Sequence, residues 1–585
     1  MTLVVDRPAA ENSRPRRPLL RRAWDAPVWA HLAALGIILL ALVPLVGTGS
    51  SLSADEGAAI VQAQSLAGGD GWIVEHPAPE LDPTGAHYPL ELTEQGSKGR
   101  APFAKHPVYA LLLAGADRVG ATAAMVLLSL GGTLAAAGLA AALARRVDPS
   151  LGRPTVWVVG LASPLLFDGF LVIAHTLGAA AATAAVLFAV VAVERRKLVV
   201  ALGVIPCIAV AVLLRNEAVF FALGLAAAAA VVALRLRSRA RATALLVAAG
   251  ALIAAVGAHF GERFWVRRLV GPVVAPIATA TGSAATGSGG GGFVNGRIRA
   301  FLLTWLRPGY TGPRQLTLAL TVMVIAVAVG AYVVRRHPGD RRVIVVLCSV
   351  AAGAAVLAVA TKPTNIVPGL LVAFPLMLAG LLLIRRNQLQ TTAAQIGAVT
   401  FAVFALAVLA TQYTKGGSGE WGGRYFALGL PVLVPVLLLA LRETGRALAP
   451  VTRRYATASL ATITVVMAIM GIASVTNGHR FTADLMADIG RAGHQVAGNR
   501  PVMITTSPAI PRFAWNTFGS QRWLLTTPGE TDELVQRLRA AGIERAVLVT
   551  NGNDRNKPRL PPNVEIDSRP SPGGGWQILV LGLGS

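Results

Sequence analysis

Ser53-Ala54-Asp55-Glu56-Gly57 sets two adjacent carboxylates just past the end of the first long apolar run. The chain is 54% hydrophobic and only 14% charged, against about 25% charged for an ordinary soluble domain, so such a pair stands out. Other polar groups recur at the ends of apolar runs. They are Lys105-His106-Pro107, Asp168, His175, Arg215-Asn216-Glu217 and Glu420-Trp421-Gly422-Gly423-Arg424-Tyr425. Ionisable side chains at a membrane boundary are functional candidates by default. A carboxylate can take a proton from a hydroxyl, and Arg, Lys and His can grip phosphate oxygens. Gathered on one cavity, these groups would suit transfer of a group away from a phosphate leaving group.

Each group also has a structural reading. Ser53 is a good N-cap and acids favour a first helical turn, so Asp55-Glu56 could simply begin a helix. Lys105-His106-Pro107 could anchor an interfacial helix that starts with proline. Arg215 and Glu217 could be an ion pair capping a hairpin of helices. Arg424 could snorkel beside the interfacial ring of Tyr425. Asp168 and His175 read as packing groups.

The elements that must position them follow from the apolar runs. With 585 residues, a mean hydropathy of +0.59 and repeated apolar runs of about 20 residues, the chain reads as a polytopic α-helical membrane protein. The formal net charge of +24 comes from Arg residues clustered in short loops, which the positive-inside bias explains better than a nucleic-acid partner. Cys207 and Cys348 both lie inside apolar runs, which excludes a disulfide framework and a Cys-type zinc site.

The expected organisation is a cytoplasmic basic tail (1–26), a transmembrane domain (27–476) and an extracytoplasmic α/β domain (477–585). About thirteen transmembrane helices are expected, near 27–48, 121–144, 155–172, 174–193, 198–214, 218–234, 242–260, 316–334, 343–361, 366–384, 393–412, 425–441 and 456–475. The first is expected to stay uncleaved, because its apolar core is longer than the roughly 7–15 residues of a signal peptide, with cleavage near Ser53 as the alternative. Every Arg-rich loop then falls on one side, and every candidate site residue on the other. Residues 49–119 form a first outer loop with interfacial helices at 58–67 and 107–116. Residues 261–314 form a second, whose Gly282–Gly292 run is low in complexity and expected to be flexible. After Asn477, segments 501–506, 545–550 and 577–582 read as buried strands and 530–541 as an amphipathic helix. That domain shows no catalytic pattern and reads as a structural or acceptor-docking cap.

The ordered motifs resemble the GT-C superfamily of polyprenyl-phosphate-sugar-dependent glycosyltransferases, in the protein O-mannosyltransferase and aminoarabinose-transferase-like branch. An acidic pair in the first outer loop matches Asp55-Glu56. A Lys/His-Pro segment matches Lys105-His106-Pro107, with Val108 in place of a second proline. Arg215-Asn216-Glu217 looks like the family's basic-plus-acidic turn, and Trp421-Gly422-Gly423-Arg424-Tyr425-Phe426 with Leu430-Pro431 is similar to a Gly-Arg-Tyr…Pro run. The resemblance covers roughly 27–440 and stops before the C-terminal domain.

It implies an inverting transfer of a sugar from a polyprenyl-phosphate donor to an acceptor hydroxyl of a lipid, protein or polysaccharide of the cell envelope. Asp55 or Glu56 would be the catalytic base. Lys105, His106, Arg215, Glu217, Arg424 and Tyr425 would bind the donor, with Asp168, His175, Glu420 and Trp421 as further candidates. No cofactor is obligatory and no metal site is assigned; Mg2+ or Mn2+ on such acids is an option within the superfamily. The Ala/Arg/Gly-rich composition suggests a bacterial inner (plasma) membrane. A transporter or flippase is the rival reading, but the polar residues crowd one side and no internal repeat of the transporter kind is found.

Overall fold

The computed structural model describes residues 24–90, 95–97, 99–100, 106–275, 293–308, 313–361, 367–411, 421–496, 498–551, 558–570 and 575–584. Lys105, Glu420 and the Gly282–Gly292 run, each singled out in the sequence, lie outside them.

Among the described residues nine helices are long and apolar enough to cross a membrane, and Leu198–Leu214 and Ala218–Ala233 are shorter apolar helices. Large apolar side chains such as Ile253, Leu318 and Leu406 stand exposed on them. In water that would be costly, whereas in a bilayer it is the outer surface a membrane domain needs. Beneath this surface lies one continuous core built largely of Ala, Leu and Val, whose small side chains let helix backbones approach closely.

Two of the expected spans are broken. Residues 155–172 form the helix Gly152–Trp157, a π-turn Val158–Ala162 and the short helix Leu165–Asp168. Pro164 follows Ser163 there, and the residue before a proline is pushed out of the helical region; Ser163 is extended, with ψ 164°. Residues 366–384 likewise split into Leu370–Ala373 and Pro375–Leu383 at Pro375. Irregular backbone at membrane depth survives only where protein covers it. Both segments meet that condition, with Phe170, Leu171 and Phe374 fully buried.

The loop helices also differ in extent from the sequence reading. The first is Ala54–Gly68. The second begins at Pro107 and joins the following span as Pro107–Val147, with a kink at Gly120 and Ala121, the latter at φ 50°. The segment expected as a loop from 261 opens with helix, because Ser238–Val270 continues well past residue 260. Its end pairs with the first loop: Gln95–Gly96 lies antiparallel to both Gly99–Arg100 and Val273–Ala275. The last span runs through position 477 as one helix, Pro450–Gly493.

Contacts between helix ends tie several of the short Arg-rich loops to one end of the bundle, whereas the basic stretch of Arg263, Arg267 and Arg268 follows Glu262 at the other. Arg146 pairs with Glu194 at 3.1 Å and Arg442 with Asp148 at 2.7 Å. Arg335 donates to the Leu382 carbonyl and Arg385 to the Arg335 carbonyl, so guanidiniums serve as helix C-caps there. The Asp148 carboxyl is held at about 2 by hydrogen bonds from Ser150 and the Arg442 charge, against the opposing effect of burial.

At the other end sits the C-terminal domain, a five-stranded sheet with the order 522–525, 502–505, 545–551, 576–582, 565–570. The first three strands are parallel and the last two antiparallel. Val502–Thr505 is buried along its whole length, as an apolar run in a sheet covered on both faces should be. One face is covered by Leu534, Val535 and Leu538 of the amphipathic helix Thr531–Ala540. The other packs on Val61, Val74 and Tyr88 of the 49–119 segment and on Leu485 and Ile489 of the Pro450–Gly493 helix. The domain is therefore seated on the membrane domain. Two hydrogen bonds close the seam, the Leu525 N–H donating to the His87 carbonyl at 2.8 Å and the His87 side-chain Nδ1 meeting the Leu525 carbonyl at 2.9 Å.

Candidate functional site

Ser53 starts the Ala54–Gly68 helix with a complete capping box: its hydroxyl accepts from Glu56 N–H, and its own N–H donates to Glu56 Oε2 at 2.8 Å. The second Glu56 oxygen accepts from the Val172 N–H at 2.9 Å. Glu56 is fully buried, and both its oxygens hold backbone. The neighbouring Asp55 points a different way. Its Oδ2 accepts from Arg424 Nη1 at 3.1 Å, its Oδ1 lies 3.9 Å from Arg512 Nη1, and its side chain is 33% exposed. One helical turn thus sends the first carboxylate to a cavity and the second to the scaffold, because successive helical positions are about 100° apart.

That cavity has a volume of about 340 Å3 and gathers Asp55, His106, His175, Arg215, Glu217, Arg424 and Tyr425 in its wall. Glu56, Asp168 and Trp421 are absent from its lining. Asp168 is fully buried. Trp421 stacks on Phe167 at 6.0 Å and packs near Gly471.

Each of the remaining side chains is held by its own element. Arg215 ends the helix before the turn and Glu217 begins the next; the guanidinium grips the carboxylate through two donors, Nε at 3.1 Å and Nη2 at 2.6 Å. Such a fork fixes both planes. Arg424 follows Gly422 and Gly423, at φ 72° and 68°. Those left-handed values favour glycine, and a Cβ on Gly422 would sit 2.4 Å from Pro164. The two glycines thereby deliver Arg424 to Asp55, with its guanidinium 5.3 Å from the Tyr425 ring centre, within cation–π range.

His106 precedes Pro107 and places Nδ1 2.9 Å from Glu262 Oε1, both side chains buried. A carboxylate can only accept, so Nδ1 carries the proton of this bond and the acid fixes the ring's tautomer. His175 is fully buried in the wall, and neither of its ring nitrogens has a hydrogen-bond partner among the described residues. Among those residues no three of His, Cys, Asp and Glu are grouped as metal ligands.

Two partners had no signal in the sequence. Glu262 sits among Arg263, Arg267 and Arg268 and reads there as one acid in a basic stretch. Arg512 comes from the C-terminal domain, in a short helix whose backbone presses on the Asp55 helix. A Cβ on Gly57 would lie 1.8 Å from the Arg512 carbonyl oxygen, so Gly57 is what permits the approach.

Among solved structures the chain is similar to ArnT from Cupriavidus metallidurans bound to undecaprenyl phosphate, at 13% identity and TM-score 0.45, covering 94% of this chain and 97% of that one. It is also similar to the archaeal oligosaccharyltransferase AglB from Archaeoglobus fulgidus, in complex with an inhibitory peptide and a dolichol-phosphate. There the identity is 12% and the TM-score 0.44, with coverage of 91% and 70%. No family model and no curated protein matches the sequence. What the cavity can do follows from its own residues.

Proposed function

We propose that this chain is a membrane glycosyltransferase that moves a sugar from a polyprenyl-phosphate donor to an acceptor hydroxyl at the end of the bundle bearing the C-terminal domain. With the Arg-rich end in the cytoplasm, that end is extracytoplasmic. The observation that carries this reading is the convergence of Asp55, His106, Arg215, Glu217 and Arg424 on one cavity, although they are spread from position 55 to 424.

In the proposed step Asp55 accepts the acceptor's hydroxyl proton as the oxygen attacks the anomeric carbon. The bond between that carbon and the phosphate oxygen breaks, its electron pair leaves with the phosphate, and the anomeric centre is inverted. Arg215 and Arg424 face the departing phosphate, and His106 lines the same wall. A guanidinium has five donors in a fixed fork, so Arg424 can hold Asp55 through one and reach a phosphate oxygen through another. Arg512 orients the second Asp55 oxygen, and Glu217 keeps Arg215 in place. Glu56 serves the fold of the loop rather than the proton transfer.

The test is release of polyprenyl phosphate from a labelled lipid-linked sugar by purified protein in lipid vesicles. Asp55→Asn should lower turnover by about 10²–10⁴-fold, the usual contribution of a positioned base, with unfolding temperature unchanged. Full turnover by Asp55→Asn would remove Asp55 from the chemistry.

A further inference from the structure

At the Arg-rich end of the bundle lies a second cavity, of about 710 Å3. Its wall is apolar over most of its area, with Trp157, Ala326, Cys348 and Ile463 among the lining, and its polar members include Arg442, Thr444 and Arg453. Along the Pro450–Gly493 helix the lining runs from Arg453 to Val465, a rise of ~18 Å at about 1.5 Å per residue. One leaflet's hydrocarbon is about 15 Å deep, half of the usual ~30 Å core. The groove is therefore about one leaflet deep, with guanidiniums at the level where headgroups lie.

Those guanidiniums differ. Arg442 is committed to Asp148 and Ser150, whereas Arg453 is exposed and has no carboxylate partner among the described residues. Thr444 adds a buried hydroxyl in the wall without a hydrogen-bond partner among the described residues. A basic mouth on an apolar slot between helices is the arrangement that takes an anionic lipid headgroup with its chain.

We propose that this groove binds one anionic glycerophospholipid of the Arg-rich leaflet, an acyl chain between the helices and the phosphate at Arg453. The donor lipid is a poor match, because its phosphate is needed beside Arg215 and Arg424 at the opposite end of the bundle. The bound lipid would brace the outlying pair Arg314–Arg336 and Arg341–Ala360 against Leu430–Arg446 and Pro450–Gly493, all four of which line the groove.

The test is native mass spectrometry of the full chain in detergent, titrated separately with dioleoylphosphatidylglycerol, dioleoylphosphatidylcholine, undecaprenyl phosphate and inorganic phosphate. Phosphatidylglycerol should be retained roughly fivefold over phosphatidylcholine, the effect expected of one guanidinium on an anionic headgroup. Arg453→Ala should abolish that preference while leaving a tail-dependent adduct. Filling the slot with Ala326→Phe, or with Ala456→Phe should the first fail to fold, should remove both adducts. The proposal is overturned if the two phospholipids bind equally, if Arg453→Ala keeps the preference, or if filled variants keep the adduct. It is equally overturned if undecaprenyl phosphate displaces phosphatidylglycerol, if inorganic phosphate alone is retained, or if the protein appears as a dimer in place of a lipid adduct.

Discussion

Two cavities occupy opposite ends of the helical bundle, and the larger is the chemically poorer. The 710 Å3 groove has a mostly apolar wall with arginines at its mouth, so it can select length and headgroup charge but cannot stabilise a developing charge in its interior. The 340 Å3 cavity has three guanidinium- or imidazole-bearing side chains paired to carboxylates: Arg424 to Asp55, Arg215 to Glu217, and His106 to Glu262. Only a wall of that kind can hold a proton acceptor and a phosphate clamp in fixed relation before the substrate arrives. Charge in a partly desolvated wall, rather than volume, marks the candidate reaction site.

That contrast can be broken by changes that alter charge geometry at one end and volume at the other. Arg215→Lys keeps the charge but loses the two-donor grip on Glu217, because an ammonium is a point charge and not a fork. We expect turnover to fall by about 10²–10³-fold, the cost of losing one preorganised donor to a developing charge, with little change in donor binding; single-turnover kinetics in vesicles would read both. A drop in affinity alone would make Arg215 a docking residue.

Glu56→Gln separates the two carboxylates of the opening pair. A glutamine offers one acceptor where the buried glutamate offers two, leaving the Ser53 or Val172 N–H unsatisfied, at a cost of about 1–3 kcal/mol. Thermal or denaturant unfolding should record that loss, while turnover per folded molecule stays near that of the parent. A severe loss of turnover in a stably folded Glu56→Gln protein would return Glu56 to the chemistry. Arg512→Ala should be milder, since the 3.9 Å contact to Asp55 is long and Arg424 remains. A few-fold fall in kcat is expected, with the pH profile of turnover moved and KM for the donor little changed; a purely structural Arg512 would lower stability without moving the profile.

The smallest effect lies at the seam between loop and domain. Asp82 is buried, which alone would raise its carboxyl, yet the His87 N–H, the His76 ring and the Thr84 hydroxyl together hold it below its ordinary value. A lowered folded value means stability that is complete above the ordinary carboxylate range and lost as pH falls through the folded value. Protection of the His87 and Leu525 amides, taken relative to their intrinsic exchange rates, should therefore fall on acidification below about pH 4, and Asp82→Asn should remove that loss.

The C-terminal domain is where the sequence was most and least informative at once. Strands at 501–506, 545–550 and 577–582 were legible from their apolar runs, and the structure has them at 502–505, 545–551 and 576–582. The short strand Arg522–Leu525 was not, because four residues give too little alternation to read. Nor was the domain's reach into the cavity. Arg512 sits in Pro511-Arg512-Phe513, with no periodicity or charge pattern to mark it, and only the close approach over Gly57 brings it to Asp55.

What the sequence determined by itself is what depends on near neighbours along the chain. The membrane spans follow from apolar runs, the capping box from Ser53 and Glu56 three residues apart, and the Arg-rich end from charges in short loops. What the tertiary structure decided is which distant groups meet. It turned Glu56 inward to Val172, set Glu262 against His106, brought Arg424 and Arg512 to Asp55, and left Asp168 and Trp421 out of the cavity lining. Hydrophobic burial and helix capping act locally and repeat with the period of the helix, so they leave a trace in the sequence. An ion pair between residues hundreds of positions apart has no period, and it exists only once packing has fixed where each helix ends.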